Sequence, residues 1–211
     1  KRLNANMATY PDYKINIFDL ITKSRVPIQL PKNSKIRDIV ISNDNKKAAL
    51  LNETKNGIQL IIVDLENVEC KVFTGFWVND ILDDGIICWM NDNKNILLEI
   101  IPEDRGNEPI RPVLPESPII EETYGKKSIT RTYQNLLQDK HDEALFDHYF
   151  TSQIVSLNTK NGKMKKIGKP AIYNEVKPSP DNEYLYIERI HKPYSYMLPY
   201  YRFPKEFEIW N

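Results

Sequence analysis

Side chains able to do chemistry occur throughout this sequence, yet their spacing seldom aims two of them at one bond. Adjacent carboxylates stand at Asp83-Asp84 and Glu121-Glu122. Two acids that cleave a bond together must flank it, which sequence neighbours do not do, so both pairs read as solvated turn acids. His141, His148 and His191 are too scattered for a metal set. His148 follows Asp147 in a segment of helical spacing, where consecutive side chains diverge, which argues against a catalytic dyad. Cys70 and Cys88 lie in separate expected strands without C-x-x-C spacing and read as two buried thiols rather than a disulfide or a metal site. None of the serines, Ser152, Ser179 and Ser195 included, sits in a G-x-S-x-G elbow. A serine nucleophile needs that sharp turn to expose its oxygen and to build an oxyanion hole from backbone N–H groups. No G-x-G-x-x-G or phosphate loop is present either, so no nucleotide cofactor is expected. No catalytic residue, metal ligand or cofactor is therefore assigned. What remains is a cationic, aromatic run, Arg189-Ile-His-Lys-Pro-Tyr-Ser-Tyr196-Met-Leu-Pro-Tyr-Tyr-Arg202. Arg189, His191, Lys192 and Arg202 are its candidate contacts, and the plainer alternative is arginines stacked on tyrosines in a loop.

Elements that could position such a run come from an internal repeat. Ile36-Arg-Asp-Ile-Val-Ile-Ser-Asn-Asp44-Asn-Lys-Lys-Ala-Ala-Leu-Leu51 recurs as Ile86-Ile-Cys-Trp-Met-Asn-Asp92-Asn-Lys-Asn-Ile-Leu-Leu98, and again around Asp181-Asn. Each copy reads as strand, Asx-rich turn, strand, because Asp and Asn side chains bond their own backbone and tolerate left-handed conformations. Asp44 and Asp92 are 48 residues apart, and Asp92 and Asp181 are 89 apart, which is one unit and about 41 inserted residues. Third strands follow at Ile15–Leu20, Ile61–Leu65, Gln153–Leu157 and Phe207–Trp210, and fourth strands at Cys70–Thr74 and Met164–Ile167. Four short strands at a period in the forties predict β-propeller blades. A β-sandwich shares the short strands but does not predict the repeat. The expected fold is all-β: an incomplete β-propeller of about three and a half four-stranded blades with a small helical insertion. The partial propeller takes in 1–211, with blade strands at 15–30, 35–74, 76–101 plus 152–168, and 171–211, and a proline-rich and helical insertion at 102–150. So few blades do not close a ring, so either the parent chain is longer or copies self-associate through open blade edges.

Composition narrows the partners. Of 211 residues, 41% are hydrophobic and 27% charged, which suits a globular domain with a core. Lys plus Arg and Asp plus Glu both total 29, leaving no net charge to draw in nucleic acid. No run of 18 or more apolar residues appears, so no membrane span is expected.

In the insertion, Thr132–Leu137 and His141–Phe150 carry helical spacing. Leu145, Phe146, Tyr149 and Phe150 form the apolar stripe of the second segment, and Asp142 and Glu143 fall in its first turn, where the helix dipole favours acids. This segment is read as a cap on the blade rim, with a substrate-facing flap as the alternative. The run Arg131-Thr-Tyr-Gln-Asn-Leu-Leu137, then Asp142–Tyr149, Thr151-Ser-Gln153, Ile190–Tyr196, Arg202–Lys205 and Glu208-Ile-Trp210 resembles the glutamyl endopeptidase branch of the prolyl oligopeptidase family of serine peptidases, from about Ile36 to the end. The resemblance implies a propeller followed by an α/β-hydrolase domain with a Ser-Asp-His triad. It implies, further, that this chain is the non-catalytic propeller part, gating and contacting peptide substrates for that domain. An extracytoplasmic parent is expected with it. Peptidases of that branch cut after glutamate, and holding a carboxylate side chain calls for a fixed cation, best a bidentate arginine. By the resemblance, Arg189, His191, Lys192 or Arg202 would supply it, with Lys192 lacking the fork. The rival reading is a free-standing propeller-like module that binds a protein partner through blade edges or loops.

Overall fold

Several segments are apolar without a break: Ala48–Leu51, Leu60–Val63 and Ile96–Leu98. Side chains alternate between the two faces of a strand, so such runs demand a sheet covered on both sides. The computed structural model describes residues 14–82, 87–112 and 136–211 and supplies that arrangement. Strands β1 (Asn16–Phe18) and β2 (Arg25–Pro27) form a hairpin. Strands β3 (Lys35–Ile41), β4 (Lys47–Glu53), β5 (Ile58–Asp64) and β6 (Glu69–Val72) follow as an up-and-down antiparallel sheet of four. The remaining strands are β7 (Ile87–Trp89), β8 (Asn95–Ile100), β9 (Ser152–Asn158), β10 (Met164–Pro178), β11 (Leu185–Ile190) and β12 (Lys205–Trp210), joined edge to edge in that order. Helix α1 (Lys140–Phe150) is inserted between β8 and β9.

The six-stranded sheet is two sheets sharing β10. Met164–Ile167 and Ala171 pair with β9, whereas Ile172–Pro178 pair with β11, and the register shifts between Ile167 and Ala171. Gly168, at φ 62°, lies in that shift. A Cβ there would stand 2.5 Å from the Trp210 ring, so the left-handed turn and the close aromatic both call for glycine.

Face-to-face packing runs in series. Ala48, Leu50, Ile61 and Val63 meet Ile28 and the β1–β2 hairpin on one side of the four-stranded sheet. Ala49, Leu51, Leu60 and Ile62, on its other side, meet Ile96, Leu98, Val155 and Leu157. The far side of β8 and β9, through Leu97 and Ile154, meets Tyr173, Val176 and Ile187. Among the described residues the chain is thus mostly sheet with one α-helix, and its layered sheets are propeller-like.

The Asx turns are where the repeat puts them, with Asn45, Asn93 and Asn182 at φ 58°, 52° and 62°. They also touch one another. Asn43 Nδ2 donates to Asn91 Oδ1 at 3.3 Å, the Asp44 N–H to Asn93 Oδ1 at 3.2 Å, and the Asn91 N–H to Asn182 Oδ1 at 3.4 Å. A row of turns therefore runs along one rim, and α1 with the 191–204 loop occupies strand connections at the other.

Some expectations change. Cys70 and Cys88 are half-buried rather than buried, because β6 and the short β7 are sheet edges; burial still pushes both thiols up. Of the helical spacing at Thr132–Leu137, Leu136 and Leu137 are irregular, and residues 132–135 lie outside the described residues. Asp83-Asp84 and Glu121-Glu122 lie outside them too. The stretch 102–112 is irregular, and 113–118 falls outside. No helix among the described residues is long and apolar enough to cross a membrane.

Candidate functional site

The candidate run leaves β11 at Arg189, crosses the loop 191–204 and re-enters the sheet as β12. Antiparallel register sets Arg189 opposite Glu206. Its Nη2 donates to Glu206 at 2.9 Å and to Glu208 at 2.8 Å, and its Cζ lies 6.0 Å from the centre of the Trp210 ring. The Nε atom is buried without a hydrogen-bond partner. A guanidinium held by two internal carboxylates is charge-compensated before any ligand arrives.

His191 is exposed; its Nδ1 donates to the Lys192 carbonyl at 2.7 Å and its backbone N–H to Pro204. Lys192 pairs with Asp147 of α1 at 2.6 Å and lies over the Tyr194 ring. Arg202 ends a short 3-10 turn, Tyr200–Arg202, and is exposed. A cavity of about 260 Å³ brings together Arg189 and His191 with Asp147, Glu206 and Tyr194. Lys192 reaches it through Asp147, whereas Arg202 is not among its lining residues. Its guanidinium, Arg189, faces two carboxylates, so the cavity can bind a polar group by exchange of partners.

Residues that the sequence reading did not assign as contacts hold this site in place. Tyr194 donates to Asp147 at 2.5 Å and Tyr196 to Glu143 at 2.6 Å. Burial, then the Asp147 carboxylate, pushes the Tyr194 phenol well up. Burial works against the Glu143 carboxylate, but the Tyr196 hydroxyl and Lys140 outweigh it and hold its pKa below the usual range. Asp139 caps α1 by accepting from the Asp142 N–H at 2.9 Å, satisfying a donor the helix leaves orphaned. His148 packs edge-on against Tyr149, and burial lowers its pKa. The acids i and i+4 on α1, opposite tyrosines two apart in the loop, were the available signal for this pairing.

A second polar pair sits deep between the sheets. Glu99 and Ser152 are 5% and 0% exposed, and the Ser152 hydroxyl donates to the carboxyl. On β3, the Arg37 side chain, 6% exposed, sits between Asp80 at 2.6 Å and Glu53 at 3.1 Å.

No family model matches the chain. Two plant proteins, each named "Probable glutamyl endopeptidase, chloroplastic", are similar to it over 191 residues, that of Oryza sativa subsp. japonica at 37% identity and that of Arabidopsis thaliana at 35%. Each match takes in 86% of this chain and 20% of the relative, so the chain spans about a fifth of the length of these relatives. Among solved structures, Pyrococcus horikoshii acylaminoacyl peptidase aligns with 94% of this chain and 26% of its own, with a TM-score of 0.54 at 14% identity, a likeness of fold.

Proposed function

We propose a role that starts from kinship: the chain is a propeller portion of the prolyl oligopeptidase family of serine peptidases, on its glutamyl endopeptidase-like branch. In that role it is a non-catalytic part of about three and a half blades that limits access to a separate α/β-hydrolase domain and contacts peptide substrates. The observation that carries this reading is the identity over 191 residues to proteins named as glutamyl endopeptidases. Gating needs no reactive group, since channel width and loop contacts exclude folded proteins by shape. An extracytoplasmic parent stays within this proposal, and fractionation of the source cells tests it against the chloroplastic location in the relatives' names.

Arg189, His191, Lys192 and Arg202 are proposed to hold the substrate's acidic side chain. A substrate carboxylate would compete with Glu206 and Glu208 for Arg189, and Arg202 is exposed at the end of the 3-10 turn. In the complete enzyme Arg202→Ala lowers turnover of glutamyl peptides; unchanged selectivity for glutamate over glutamine discards the contact. The chain alone gives no hydrolysis of a glutamyl peptide, and a rate abolished by a serine-directed inhibitor would sink the non-catalytic assignment.

A second reading, a free-standing interaction module, draws support from Phe207 and Ile209, which are 62% and 74% exposed on β12. The same residues support self-association. Gene sequence downstream of Asn211 separates the two readings, through further blades and a G-x-S-x-G domain or a stop codon.

A further inference from the structure

Helix α1 belongs by sequence to one sheet and by packing to the next. It is spliced into the β8–β9 connection, and its C-terminal end is fixed there by Asn79, whose Nδ2 donates to the carbonyls of Tyr149 and Thr151 at 3.2 Å each. The preceding segment grips the same helix: Arg111 pairs with Asp139 at 2.9 Å, and Tyr149 donates to Glu108 at 2.5 Å. Phe146 and Phe150 of its apolar stripe turn the other way. Phe146 is buried against Ile172 of β10 and Ile190 of β11, with the Tyr194 and Phe203 rings at 5.0 and 5.4 Å. Tyr194 and Tyr196 fasten that side through Asp147 and Glu143.

The two sheets so joined have β10 as their covalent link, beside the core of Leu97 and Ile154 against Tyr173, Val176 and Ile187, and β10 changes register at exposed Gly168 and Pro170. A strand that shifts register at a left-handed glycine is a natural pivot. We propose that α1 is a strap that fixes the angle between the β7–β9 sheet and the β10–β12 sheet, preventing the latter from swinging about residues 168–170. This inference stands on packing alone and holds whether or not the chain serves a peptidase.

Native-state hydrogen exchange on the 211-residue chain tests it. Phe146→Ala removes the buried ring at the centre of that contact, and Tyr194→Phe with Tyr196→Phe removes only the two hydroxyl bonds, which keeps the test usable if the first variant does not fold. Loosening the strap raises exchange by about tenfold or more in the amides of β11 and of Ile172–Lys177, while β4 and β5 keep their protection. Faster exchange confined to α1 and the 191–204 loop, with β11 unchanged, would show that the helix merely rests on the sheet and would overturn the proposal.

Discussion

Glu99 is one side chain whose ionisation the fold opposes outright. Burial pushes its carboxyl up from an ordinary value of 4.5 to about 8, and the Ser152 hydroxyl only partly offsets this. Between those two values the unfolded chain has released a proton that the folded chain keeps, so stability falls as pH rises through the window and levels off above it. Glu99→Gln keeps a hydrogen-bonding group and removes the titration. Urea denaturation at pH 5 and pH 8 should show the variant gaining on the parent at the higher pH, by up to a few kcal/mol. Parallel curves for the two proteins would refute this. The sequence held a hint, an acid inside the apolar run Ile96–Ile100, but a strand pattern alone does not say whether such a residue faces solvent or a neighbouring sheet. Arg189 shows the same limit. Its place in a cationic run was plain, whereas its two carboxylate partners stand 17 and 19 positions away and meet it only through the β11–β12 register.

At the scale of elements, the hairpins were the legible part because their turns are local: Asn-Asp-Asn specifies a left-handed corner whatever surrounds it. Junctions between sheets were less so. The strand pattern stops at 168 and resumes at 171, yet the backbone continues as one strand that serves two sheets. Gly168→Ala should expose this joint, since a methyl group must meet Trp210 and the backbone must hold φ 62°. A loss of roughly 1–3 kcal/mol is expected, with a change in tryptophan emission as the indole moves. Arg37 makes a parallel case on β3. Arg37→Ala removes the guanidinium that two acids share, at 13% and 16% side-chain exposure, while Lys35 stays 3.9 Å from Glu53, and should cost about 1–3 kcal/mol in chemical denaturation. A loss below about 1 kcal/mol would mean that Glu53 and Asp80 find other compensation.

For the whole molecule, the decisive surface is the outer face of the last sheet. Tyr186, Ile209 and Phe207 share that face by register, and the two β12 residues stand in solvent. Association between copies should follow concentration in light scattering, and Phe207→Lys with Ile209→Lys should return a monomer. An unsubstituted 211-residue chain that is monomeric at every concentration would remove self-association from the proposal. The row of Asx turns on the opposite rim has its own consequence. Asn43 bonds Asn91 across 48 positions, the same interval at which the motif repeats, so each copy of the motif is part of its neighbour's environment. Resemblance among the copies then has a mechanical cause: like cogs on one wheel, they must keep a common pitch, and a residue inserted in one turn would misfit the turn beside it before it disturbed its own hairpin.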